Sequence, residues 1–198
     1  ISACLVGSEM CIRDRYCIIP FARGRSRTIS IEQAVKKAQE LVDSGFKEIV
    51  LTGVNIGEYS STSGEKLSDL VGEILKIEGL ERLRLGSVEP NTFTKELLEV
   101  LAGSSKSCNH FHIPLQSGCD KILRDMRRKY TLGEYKQIQE QILGYFPNAA
   151  FGADIIVGYP GETEEDFLET RKFLEGSPIT HFHVCLLYTS PSPRDRQK

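Results

Sequence analysis

From Ser30 onward the apolar positions of the chain switch repeatedly between the helical repeat and short continuous runs. Ile31, Ala34, Val35, Ala38, Leu41 and Val42 recur at helical spacing behind a Ser30-Ile31-Glu32-Gln33 capping box, and Gly45 supplies a stop. Residues 48–52 form a short apolar strand, and Leu67, Leu70, Val71, Ile74 and Leu75 mark a second helical face. The cycle then repeats. Residues 83–87 read as strand, 95–101 as helix and 111–115 as strand; Thr131 and Glu134 cap a helix carrying Tyr135, Ile138 and Ile142. Residues 150–157 are a strand, Thr163 caps a helix running through Phe173, and residues 181–184 begin another strand. Short strands separated by helices predict an α/β fold with a parallel sheet of βαβ units.

Each strand runs out into polar or glycine-rich residues: Thr52-Gly53-Val54-Asn55-Ile56-Gly57, Ser87-Val88-Glu89-Pro90, Gln116-Ser117-Gly118 and Gly158-Tyr159-Pro160-Gly161-Glu162-Thr163. A parallel sheet gathers these segments on one rim, where such folds place their ligands. Any one of them alone is an ordinary βα turn, with glycine for positive φ and a polar helix cap. Four together, with Cys17 ahead of them, point to a site.

The two ends carry a different signal. Residues 4–15 and 185–196 translate one DNA string read in opposite directions, as a sequencing adapter at both ends of a read would. Residues 1–15 and 185–198 are therefore expected to be non-native segments and residues 16–184 an incomplete core domain, with enough chain for one sizeable core. The 25 basic and 27 acidic residues leave a net charge of −2, which neither requires nor forbids a nucleic-acid partner. Outside the ends the cysteines are Cys17, Cys108 and Cys119, too few and scattered for a disulfide framework, so a cytoplasmic setting is expected. No apolar run approaches the length of a membrane span.

The run Cys17-Ile18-Ile19-Pro20-Phe21-Ala22-Arg23-Gly24-Arg25-Ser26-Arg27, with the four rim segments and Arg84-Leu85-Gly86, resembles in order and spacing the radical S-adenosylmethionine (SAM) domain of tRNA methylthiotransferases. The Phe-Ala-Arg-Gly and Thr-Gly-Val-Asn-Ile-Gly stretches look most like the branch acting on threonylcarbamoyl-adenosine beside the anticodon. The isopentenyl-adenosine and ribosomal-protein branches follow closely. The resemblance implies a partial (β/α)6 barrel whose first strand precedes Cys17 and is lost here. It implies a 4Fe-4S cluster on three cysteines spaced C-x3-C-x2-C, with SAM chelating the open iron. If Cys17 is the third ligand, the first two belong at Met10 and Asp14, and no other register supplies three cysteines. It places Gly53, Asn55, Ser87 and Glu89 against SAM, and Ile156, Val157 and Gly158 beside its adenine. Partners implied are the tRNA anticodon stem-loop and an electron donor. Arg23, Arg25 and Arg27 are candidate phosphate contacts. The chain itself, with one of three thiolates, is expected to be inactive, and without its first strand to fold poorly at the exposed sheet edge. A reading of another class is a non-catalytic RNA-binding barrel that lacks the cluster.

Other eye-catching residues take plainer readings. Arg124, Arg127, Arg128 and Lys129 are expected to be solvated or paired with acids. Cys108, His110 and His112 hint at a metal, yet zinc wants three or four ligands and His181 and His183 lie far along the chain, so no metal site is expected. Glu164, Glu165 and Asp166 complement a helix dipole, and Cys119 is a small buried or capping residue.

Overall fold

The computed structural model describes residues 28–53, 55–60 and 64–187. Cys17, Arg23, Arg25, Arg27 and the expected first strand lie outside these residues. The elements run α1 (Ile31–Asp43), β1 (Glu48–Leu51), α2 (Leu67–Leu75), β2 (Arg82–Leu85), α3 (Lys95–Ala102), β3 (His110–His112), α4 (Asp120–Asp125), α5 (Leu132–Tyr145), β4 (Ala150–Val157), α6 (Glu164–Glu175) and β5 (Ile179–Leu186). Every strand pairing is parallel: β1 with β2, and β3 with β4 with β5. Bridges from Leu83 to Ser107 and from Ser87 to His112, with Val88 N donating to the His112 carbonyl at 2.9 Å, join the two ladders in chain order. The result is an α/β fold, an open barrel-type sheet with helices on one face, as the alternating pattern predicts.

The caps behave as their sequences dictate. Ser30 Oγ accepts from Gln33 N at the start of α1, and Thr131 with Glu134 and Thr163 with Asp166 form capping boxes on α5 and α6. The helices bury Leu70, Val71, Ile74, Leu97, Leu98, Tyr135 and Ile142 against Ile49, Leu51, Leu83, Leu85, Phe111, Phe151, Ala153 and Ile155 of the strands and Ile113 just past β3. Because strand side chains alternate, the residues between these face the other way.

β2 ends at Leu85 rather than at residue 87, and two further strands differ from expectation. β3 stops at His112 rather than running on to residue 115, because Pro114 has no N–H to give the ladder. The carbonyls so released are taken by tyrosines: Tyr135 donates to Ile113 O at 2.8 Å, and Tyr130 donates to Pro114 O and Leu115 O at 2.9 Å each. Burial pushes the Tyr135 phenol well above its ordinary range, so it stays a donor. β5 extends past residue 184, with Cys185 opposite Ile156 and Leu186 opposite Val157. A parallel ladder is written in backbone groups, so it continues through whatever extended residues follow. On the outer side of β5, Phe182 and Val184 join Ile155, Val157, Phe167 and Leu174 around an apolar groove left open among the described residues.

The Gln116-Ser117-Gly118 rim segment is a clamp on α6. Ser117 Oγ lies 3.1 Å from Thr170 Oγ1, and Gly118 N donates to the same oxygen at 3.1 Å. A Cβ on Gly118 would fall 2.8 Å from Thr170 Cα, a backbone atom that cannot swing aside. Gly118→Ala is expected to cost about 1–3 kcal/mol, as overpacking does, read as a lower urea midpoint at unchanged slope.

Candidate functional site

The face of the sheet turned away from the helices is polar. Alternation from the buried positions puts Glu48, Arg82, Arg84, His110, His112, Asp154, His181 and His183 there. Glu48 accepts from Arg82 Nε at 2.7 Å and pairs with Arg84 Nη2 at 3.0 Å. The Arg82 hydrogen bond holds its carboxyl below the usual range, with Arg84 adding to the effect against some desolvation. Asp154 accepts from two imidazoles: His112 Nε2 at 3.0 Å on one oxygen and His183 Nδ1 at 3.3 Å on the other. The His112 bond is the main reason its carboxyl titrates below the ordinary range, against the pull of burial. His181 Nε2 stands 3.2 Å from His183 Nε2. Burial pushes the His110 imidazole down, and the nearby Arg84, His112 and His181 add to the shift, so the neutral ring is favoured.

The parallel strands bring the four rim segments to one end of the sheet. Asn55 is 4% exposed; its Oδ1 accepts from Gly57 N at 3.2 Å, while Nδ2 is buried with no partner among the described residues. An orphaned buried donor is costly unless a ligand completes it, so this amide fits a polar group bound at the rim. Gly53 is half-buried two residues before it, and Ser87 is exposed beside His112. Gly158 adopts a φ of +74°, and its N–H donates to Glu162 Oε2.

Two expected SAM contacts are placed differently. Both carboxylate oxygens of Glu89 accept from Arg128 Nη2 at 2.8 Å, and the side chains of Arg128 and Glu89 are only 5% and 15% exposed. Arg128 thus belongs to an ion pair, as expected for its cluster, but the acid that pairs with it is the one expected to meet SAM. The side chain of Val157 lines the outer groove, whereas Ile156 packs at the rim against Cys119, Ile122, Met126 and Tyr159. The alternation of a strand allows only one of two neighbours to face a ligand.

Cys119 is buried at the start of α4, with its thiol pushed up by desolvation and 3.5 Å from Asp166 Oδ1. Asp166 is held far below the usual carboxylate range, chiefly by its bond from Lys121 and then by Thr163 N. These residues hold a rim corner together.

The sheet, with its polar inner face and its loops gathered at the strands' C-terminal ends, defines a ligand-binding α/β barrel domain. The chain belongs to the radical SAM superfamily, which residues 14–174 match. It is similar to the threonylcarbamoyladenosine tRNA methylthiotransferase MtaB of Aquifex aeolicus, 42% identical over 85% of this chain and 41% of that protein. It is 45% identical to the tRNA-2-methylthio-N(6)-dimethylallyladenosine synthase of Lawsonia intracellularis, over 78% of this chain and 35% of that one. The chain thus spans between about a third and two fifths of the length of these curated relatives. In fold it resembles the radical SAM methyltransferase TsrM of Kitasatospora setae, solved with cobalamin and a 4Fe-4S cluster, with a TM-score of 0.72 and 19% identity over 88% of this chain and 34% of that one. No helix among the described residues is long and apolar enough to cross a membrane.

The family's cofactors are a 4Fe-4S cluster and SAM. The rim amide of Asn55 fits a polar ligand such as SAM. The cluster does not fit this chain: the sequence holds no C-x3-C-x2-C run, and the described cysteines are dispersed, with Cys108 ahead of β3, Cys119 ahead of α4 and Cys185 on β5.

Proposed function

We propose that the full-length protein containing this domain is a radical SAM tRNA methylthiotransferase that adds a methylthio group to C2 of threonylcarbamoyl-adenosine beside the anticodon. The observation that carries the reading is identity of 42% and 43% with two such enzymes, each over 85% of this chain. Its partners are the tRNA anticodon stem-loop, gripped in part by Arg23, Arg25 and Arg27, and an electron donor. Gly53, Asn55, Ser87, Ile156 and Gly158 form the SAM side of the rim; Glu89 acts there through Arg128, as a positioning group. Within this domain the protein's task is to bind, orient and exclude water, since the reactive chemistry is the cofactor's. The 198-residue chain is inactive by itself.

A second reading, a methylthiotransferase for dimethylallyl-adenosine, is favoured by the 45% identity to the Lawsonia enzyme. The deciding experiment uses a version with the flanking domains and two cysteines restored ahead of Cys17. It is reconstituted anaerobically and given tRNA bearing either modified adenosine, and the digested nucleosides are weighed by mass spectrometry. Methylthiolation of the threonylcarbamoyl substrate is expected; methylthiolation of the dimethylallyl substrate alone selects the second reading. A protein that binds tRNA but takes up no cluster would be the non-catalytic barrel.

A further inference from the structure

Cys108, His110, His112, His181 and His183 are scattered in sequence, but the strand order β3-β4-β5 sets His112 and His183 on either side of Asp154. The distance along the chain that argues against a metal is removed by the fold. One ring nitrogen of His112, one oxygen of Asp154 and one ring nitrogen of His183 all lie within 4.8 Å of one another, and His112 Nε2 and His183 Nδ1 stand 3.0 and 3.3 Å from the two oxygens of the carboxylate. Ligands about 2.1 Å from a tetrahedral ion stand roughly 3.4 Å apart, so the three groups reach one centre with small movements.

The surroundings are built for the three side chains. A Cβ on Gly152 would lie 2.7 Å from His112 Nδ1, so the glycine leaves the room in which that ring lies against β4. The rings of His112 and His183 are stacked at 5.8 Å. His181 Nε2, 3.2 Å from His183 Nε2, can accept the proton that His183 carries when Nδ1 is the ligand atom, which is how an outer partner fixes a metal-binding tautomer. Among the described residues Asp154 has no Lys or Arg partner. The other grouping of ligand types, Cys119, Asp166 and Glu169, is by contrast neutralised by Lys121. Among the described residues the site is also open: the side chains of Asp154 and His183 are 37% and 65% exposed, which leaves a path in.

We propose that His112, Asp154 and His183 bind a divalent transition-metal ion of the zinc and ferrous class on the inner face of the sheet, with positions left open for water or a ligand. Two imidazoles and a carboxylate with open positions are the donor set of such ions. The site shares no ligand with the iron-sulfur motif and does not depend on the proposed enzymatic function.

The test is titration of the 198-residue chain, thiols reduced, with Co2+ alone, followed by visible absorption, and with Zn2+ alone, followed by calorimetry. The expected result is a single equivalent bound, with ligand-field bands of an ion in nitrogen and oxygen donors and no thiolate charge-transfer band. Asp154→Asn and His183→Gln should each weaken binding by more than roughly tenfold. His183 is exposed, so its variant tests the site without disturbing the core. His110→Gln should bind as the parent does. Equal affinity in parent and variants, a thiolate band that accounts for the ion, or no uptake by the parent chain would each overturn the proposal.

Discussion

Anaerobic reconstitution of this chain with iron and sulfide is expected to give no stoichiometric 4Fe-4S absorbance, and the double variant Met10→Cys/Asp14→Cys is expected to gain it. A cubane needs three protein thiolates around it, and the register that makes Cys17 the third leaves only Met10 and Asp14 to be changed. A thioether and a carboxylate cannot stand in, because the cluster irons take soft thiolate sulfur in preference to either. The effect is close to all or none, measured as iron per chain and as the broad visible absorption of the cluster. Stoichiometric cluster in the parent chain would sink the account of the broken motif. A double variant that stays colourless while cooperatively folded would show that the residues before Cys17 cannot form the loop, even with the right side chains.

The second large effect falls on stability. Arg128→Ala should cost about 3–5 kcal/mol, because it removes the guanidinium bonded to both oxygens of a largely enclosed carboxylate. The pair is nearly enclosed, with Arg128 5% exposed, and the same guanidinium also donates from Nε to the Tyr130 hydroxyl at 3.1 Å. That hydroxyl in turn closes the carbonyls stranded at Pro114 and Leu115, so the substitution loosens the end of β3 as well. Against a domain stability of about 5–15 kcal/mol the loss is a large part of the whole. Urea unfolding followed by circular dichroism reads it directly. The paired change Glu89→Met with Arg128→Met should recover most of the loss, since neither charge of the pair is then left buried without the other. A single variant within about 1 kcal/mol of the parent would place the pair among exposed bridges instead.

The local grammar of the fold was legible from residues close together: Ser30 with Gln33, Thr131 with Glu134 and the apolar runs of β1 and β4 announce themselves within a few positions. α4 was not announced, because its six residues hold too few periods to show a face. β3 is shorter than residues 111–115 suggest, because Pro114 inside that stretch has no N–H to donate. The site was legible as a set of rim segments but not as contacts. Glu89 meets Arg128 across 39 residues and His112 meets Asp154 across 42, and only the sheet order decides such meetings. A signal was present: two strands with histidine at alternate positions flanking one that carries an aspartate. Neighbours in chain order tend to be neighbours in a parallel sheet, which turns that pattern into a contact.

The bare outer side of β5 sets a practical ceiling on the isolated chain. Phe182, Val184 and Leu186 are 47%, 56% and 61% exposed along one strand, an oily ribbon on the last strand of the described sheet. Two such ribbons meeting form a sticky seam, and meetings grow with the square of how much protein is dissolved. Yield on refolding therefore climbs as the solution is diluted, long before any change in the sequence is needed.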